Sequence, residues 1–222
     1  MSLAVPLASF QVEAACRLHD RLPQWCLADR SLAALAQRLP GWTPEEVVVK
    51  AVTVNSLYGT NVFAIMRMAE HIVTIMAAAG SHLPSVELVE AIARLPKPNA
   101  GAKDRSHWSF ASKFAHFFID PSRFPIYDWY ALMTVRYHLG RAWQPDAVRP
   151  YRSFVEGFDQ VKDLAELPAG TREFDRYLWI AGQHRYWQAK PHALINGELR
   201  RLFEAPGDAA ADLQAVCSGM GA

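Results

Sequence analysis

The chain has 222 residues, 51% of them hydrophobic and 20% charged, which supports a sizeable core and excludes a disordered composition. Its net charge of +1 provides no global basic field, so any surface that attracts nucleic acid has to be local. Three cysteines (Cys16, Cys26, Cys217) with no CxxC pair argue against a disulfide framework, a zinc site or a four-cysteine iron–sulfur cluster, and fit a reducing cytoplasm. No apolar run reaches the roughly 18 residues that a membrane span needs. The first ten residues lack a basic segment and a long apolar stretch, so no signal peptide is expected.

Helical periodicity recurs along the chain and strand alternation does not. From Ser9 to Leu22, the residues Phe10, Val12, Ala15, Cys16 and Leu18 lie at helical spacings. Pro23 is expected to interrupt, and Ser31 to cap a helix through Leu32, Leu35 and Leu39 that stops at Pro40-Gly41. Thr43 is a strong N-cap, with Pro44 at the first helical position and Glu46 completing a capping box. The following run to Tyr58 is rich in β-branched residues, which keeps a strand as the alternative; the cap signal favours helix. Gly59-Thr60-Asn61 is a break, and residues 62–79 form a second apolar helix stopped by Gly80.

Ser85 opens a short helix, and residues 95–103 form a Pro- and Gly-rich loop. Then comes the stretch from Ser109 to Tyr130, SFASKFAHFFIDPSRFPIYDWY. Lys113 stands near the start of one apolar run, and Asp128 just before another. The loop between them carries Pro121 and Pro125. A helix–loop–helix of this length can return the carboxylate toward the amine. Further helices are expected at 151–164, 170–187 and 193–203, with a fraying tail after Pro206. The reading is all-α, with nine or ten helices, as a single domain over 1–222 or two lobes. A lobe boundary would fall near 97–104 or 140–150, and a cleft would be lined by residues 55–62 and 105–136.

Two segments resemble the helix–hairpin–helix DNA glycosylase superfamily of the endonuclease III type. That family has an apolar helix ending in a pattern near S-x-Q-x-T-D-V. Here Ser56-Leu57-Tyr58-Gly59-Thr60-Asn61-Val62 keeps the Ser, Thr and Val, with Tyr58 in the place of the Gln that probes the DNA stack. The family hairpin reads roughly G-V-G-x-K-x-A, followed by an apolar helix and V-D. Here Ser109-Phe110-Ala111-Ser112-Lys113-Phe114-Ala115 keeps the Lys and Ala, and Ile126-Tyr127-Asp128 keeps the Asp; Ser109 and Ala111 stand where the family has glycines. The two segments cover less than a fifth of the chain.

The resemblance implies an orthogonal multi-helix bundle like the DNA glycosylase fold. It also implies base excision from double-stranded DNA, with or without abasic-site lyase activity. Lys113 would attack the sugar and form a Schiff base, and Asp128 would stabilise the developing positive charge. A nucleophilic lysine has to be neutral, which Phe110, Phe114 and Phe117 would favour by desolvation. Tyr58, Trp108, Ser109, Ser112, His116, Tyr127, Trp129 and Arg136 would contact the extruded base or the backbone. No cofactor and no metal are expected, and no membrane partner; a protein partner is unspecified.

Each residue also has a structural reading. Lys113 would lay its stem on apolar surface, Asp128 would cap a helix, Tyr58 would be a core aromatic, and His116 a packed histidine. His107 and His138 are weaker candidates, and His184 and His192 have no ligand-like spacing. Arg172, Arg176 and Arg185 with Tyr177, Trp179, Tyr186 and Trp187 have a nucleic-acid-like composition or form a solvated face. Arg136, Arg141, Arg149 and Arg152 would make a phosphate-facing patch. The alternatives to a glycosylase are a non-catalytic helical module that binds nucleic acid or protein, and a small-molecule enzyme with an aromatic pocket.

Overall fold

The computed structural model describes residues 2–80, 85–101 and 105–218. Among the described residues there are eleven α-helices, one 3-10 turn and no strand. The chain divides into two compact units: Met1–Leu27 with Asp128–Val148 and Ser153–Ala222, and Ala28–Tyr127 with Arg149–Arg152. Helices α2 (Pro23–Arg38) and α8 (Pro150–Leu164) each contribute residues to both. Residues 102–104, part of the expected loop and lobe boundary, lie outside the described residues, as do residues 219–222 of the tail. No helix among the described residues is long and apolar enough to cross a membrane.

The first unit is built on α9 (Thr171–Ala189), against which α1 (Ser9–Asp20) and α7 (Trp129–Leu139) pack. Leu18, Val135, Phe158, Phe174, Tyr177 and Ile180 form its buried core. The α7–α9 crossing is tight at Gly182, where an added Cβ would lie 2.6 Å from the Tyr130 carbonyl oxygen and 2.7 Å from Thr134 Oγ1. Thr134 Oγ1 in turn donates to Tyr130 O at 2.8 Å and sits 3.1 Å from Leu178 O, so neither neighbour yields freely. Gly182→Ala is therefore expected to lower the unfolding free energy in urea by about 1–3 kcal/mol through overpacking. At an open helical site the same change would raise it by up to about 1 kcal/mol.

Several sequence expectations fail in α2 and in the C-terminal part of the chain. Pro23 opens α2 instead of interrupting, and Ser31 lies inside that helix. Proline at the first helical position forfeits no hydrogen bond, because that N–H has no intrahelical acceptor. The amides of Gln24 and Trp25 donate to the Glu198 carboxylate at 3.2 and 3.4 Å, a cap supplied from 174 and 173 residues away. The tail does not fray after Pro206 over its described part: Gly207–Ala209 is a 3-10 turn and α11 (Ala210–Cys217) packs on α1. Val216 is buried there, and Gln11 Nε2 donates to Ser218 O at 2.8 Å. Helix α10 (Gly197–Glu204) starts at its Asn196 cap, later than expected.

The second unit contains α3 (Pro44–Tyr58), α4 (Ile65–Ala79), α5 (Val86–Ala93) and α6 (Trp108–Phe118). The Thr43 capping box forms as expected: Thr43 Oγ1 accepts from Glu46 N at 3.4 Å, and the Glu46 carboxylate accepts from Thr43 N at 3.1 Å. The β-branched run is helical because its buried face (Val47, Ala51, Val54) recurs at spacings of three and four. Helix α4 begins three residues later than expected. Asn55 Oδ1 accepts from Thr60 Oγ1 and Val62 N, both at 2.8 Å, and this ties the intervening loop into shape.

Candidate functional site

Lys113 lies on α6 and turns inward, with only 5% of its surface exposed. Its Nζ donates to Ser109 Oγ at 2.7 Å, one turn back on the same helix face. The Tyr58 ring centroid is 5.7 Å from that amine. Tyr58 ends α3, and Gly59 takes the left-handed conformation (φ 56°) that lets the chain turn away there. The Tyr58 hydroxyl donates to Asp29 Oδ1 at 2.5 Å, and its ring lies 5.5 Å from Phe117. The structure thus brings Lys113, Ser109 and Tyr58 together from two helices far apart in sequence.

Other predicted residues of this unit have internal tasks. Ser112 is fully buried; its Oγ accepts from Tyr127 N at 3.0 Å and holds the end of the loop against α6. His116 is buried and its Nδ1 lies 2.8 Å from Phe124 O, which makes it a donor to the same loop. Tyr127 packs edge-on to Tyr151, with centroids 6.4 Å apart. Trp108 opens α6 with the Arg94 guanidinium 5.3 Å from its ring centroid. His107, the N-cap residue of α6, makes no side-chain cap hydrogen bond among the described residues. Burial, with Arg105 nearby, lowers the His107 pKa below its ordinary value.

Asp128, Trp129 and Arg136 belong to the other unit. Asp128 Oδ1 accepts from Ala131 N at 2.8 Å and caps α7. Trp129 is half-exposed and meets Tyr130 and Tyr186 edge-on at 5.2 and 4.9 Å. Arg136 is partly buried in the last turn of α7. The cap predicts that Asp128→Ala lowers stability by about 1 kcal/mol, whereas Asp128→Ser, which keeps an acceptor, stays within a few tenths. Thermal denaturation of the two variants checks this directly.

The expected arginine patch is partly neutralised. Arg149 Nε lies 3.7 Å from the buried Glu90 carboxylate, and Arg152 pairs with Glu87. The expected basic–aromatic face on α9 is not one surface either. Tyr177 is fully buried, Trp179 lies 4.8 Å from Trp25, and the Arg185 guanidinium sits 3.5 Å from the Tyr137 ring centroid.

Two features of the second unit went unread in the sequence. Lys50 is 1% exposed, with Nζ donating to Gly41 O at 2.6 Å and lying 4.1 Å from the Trp42 ring centroid. Desolvation lowers its pKa from the usual lysine value, against a raising contribution from Glu46. Phe63 is 83% exposed, with the Arg105 guanidinium 5.5 Å from its ring centroid. Its position just past the Gly59-Thr60-Asn61 break was the available signal, since a loop apex can present an aromatic to solvent.

Residues 11–123 match the HI_0787_N family model, described as an N-terminal domain, and this is more than half of the chain. The chain belongs to the HI_0787_N family. The match to HI_0787_N runs from α1 through α6, so it takes in Tyr58, Trp108, Ser109, Ser112, Lys113 and His116, and ends before Tyr127, Asp128, Trp129 and Arg136. An uncharacterized protein of Haemophilus influenzae is 29% identical over 140 residues, covering 61% of this chain and 66% of its own length, just under two thirds. No solved structure matches the chain.

Proposed function

We propose that this protein is a divergent DNA base-excision glycosylase of the helix–hairpin–helix type, with Lys113 as its nucleophile. The observation that carries this reading is the buried Lys113 amine, held by Ser109 beside the Tyr58 ring. Nucleophilic attack by a lysine uses the lone pair of the neutral amine. In this reading the nitrogen lone pair attacks the deoxyribose C1′ and the base leaves with the glycosidic electron pair, taking up a proton. Loss of the amine proton and opening of the sugar ring then give the Schiff base. The first turn of α6, lacking a side-chain cap among the described residues, supports a contact between its amides and a DNA phosphate despite the missing glycines. Double-stranded DNA is the proposed partner, the orthogonal glycosylase bundle the proposed fold, and the cytoplasm the proposed location.

The test is borohydride trapping on a duplex with one abasic site, beside a glycosylase known to be trapped. A covalent protein–DNA adduct is expected. Its absence where the control reacts would remove the catalytic reading. A second reading, a non-catalytic helical module, is favoured by the internal hydrogen bonds of Tyr58, Ser112 and His116. It predicts duplex binding that weakens steeply with salt and no adduct.

A further inference from the structure

We propose that His19, Asp20 and Cys26 form a binding site for a divalent transition-metal ion of the zinc class. His19 and Asp20 end α1, and Cys26 lies in the opening turns of α2. Their donor atoms converge within 4.8 Å of one another. His19 Nδ1 is 3.9 Å from Asp20 Oδ1 and 3.9 Å from Cys26 Sγ. Around one tetrahedral ion, donors at about 2.0–2.3 Å sit roughly 3.3–3.7 Å apart, so donors up to 4.8 Å apart must close by roughly 1–1.5 Å. The residue with freedom to move is Asp20, whose side chain is 69% exposed, whereas His19 is held at 3%.

The donor set itself selects the ion. One thiolate, one imidazole and one carboxylate suit zinc, or cobalt in its place, and do not suit calcium or magnesium, which take oxygen alone. On binding, the Cys26 thiol gives its proton to solvent and its sulfur electron pair to the metal; neutral His19 donates through Nδ1. Three protein ligands leave a fourth position for water. The neighbouring charge is offset as well: Arg21, in the connection between the helices, pairs with Asp208 at 2.8 Å. The corner is rigid, because Leu22 N donates to His19 O at 2.9 Å and Glu198 caps α2. Cysteine spacing concealed the site, since a single cysteine is recruited with a His-Asp pair six to seven residues earlier. The inference does not depend on the DNA reading.

The experiment is cobalt(II) titration of metal-stripped full-length protein, followed by thiolate-to-cobalt charge transfer and the visible bands of tetrahedral cobalt. One equivalent is expected to bind. A Cys16→Ser/Cys217→Ser double variant should keep the charge-transfer band and Cys26→Ser should lose it. Asp20→Asn should weaken binding at least about tenfold, since even outer-shell changes cost that much. A second measurement needs no variant: zinc should protect Cys26 of the wild-type protein from alkylation, and leave Cys16 and Cys217 at their zinc-free rates, as read by peptide mass spectrometry. No charge-transfer band in the wild type, a band that persists in folded Cys26→Ser, or alkylation of Cys26 unaffected by zinc would each overturn the proposal.

Discussion

Lys113→Gln is expected to abolish the borohydride-trapped adduct while the protein keeps its helical signal and cooperative unfolding. Glutamine preserves much of the buried stem and can still bond Ser109 Oγ, so the cost in stability is about 1 kcal/mol, that of one altered hydrogen bond. What it removes is the only atom of that side chain able to form a Schiff base. Lys50 is the internal rival, because it too is a buried lysine in the same unit, with a lowered pKa. Its amine is committed to Gly41 O and the Trp42 ring, a structural setting. Mass spectrometry of the trapped peptide distinguishes the two, and an adduct on Lys50 would exclude Lys113 as the nucleophile.

Acidification from about pH 7 to about pH 4.5 is expected to destabilise the first unit by about 2–3 kcal/mol through His138 alone. His138 is fully buried; its Nδ1 lies 2.9 Å from Val5 O and its Nε2 3.0 Å from the Tyr177 hydroxyl. The carbonyl can only accept, so Nδ1 carries a proton, and in the neutral ring Nε2 accepts from the phenol. Burial, with Arg185 nearby, lowers the pKa to about 4, outweighing the Val5 hydrogen bond. The same burial raises the Tyr177 phenol, which therefore stays a proton donor. The unfolded histidine titrates near 6.5 and binds the proton that the folded one refuses. The His138 contribution is thus whole above about pH 6.5 and is lost as pH falls toward about 4. His184, in the same unit and also lowered by burial, adds to the loss in the same direction. Urea unfolding at several pH values checks the slope. His138→Gln, which can donate to Val5 and accept from Tyr177, should flatten it, and an unchanged slope would show that His138 is not responsible.

Much of the helical content was legible in the sequence because helices announce themselves locally. Thr43, Pro44 and Glu46 are three neighbours whose hydrogen bonds close on one another, so the start of α3 needed no tertiary information. Asp128 likewise read as an N-cap from its place before an apolar run. Pro23 misled for the complementary reason. Whether it breaks a helix or opens one depends on who satisfies the amides beside it, and Glu198 does so from the far end of the chain. The tail behaved the same way: its small residues form α11 because α1 offers a surface to bury them.

The candidate site divides along the same line. The all-α class, the caps, the break after Tyr58 and a lysine and an aspartate flanking a helix–loop–helix are all readable from neighbouring residues. Packing of distant segments is what buries Lys113 against Ser109 and Tyr58, turns the polar atoms of Ser112 and His116 to the 119–127 loop, and assigns Asp128 to the other unit. Only it joined His19 and Asp20 to Cys26 around a turn. The physical reason is range. Periodicity and capping are set by neighbours within a turn or two, whereas burial and the meeting of side chains depend on segments that the sequence keeps far apart and packing brings into contact.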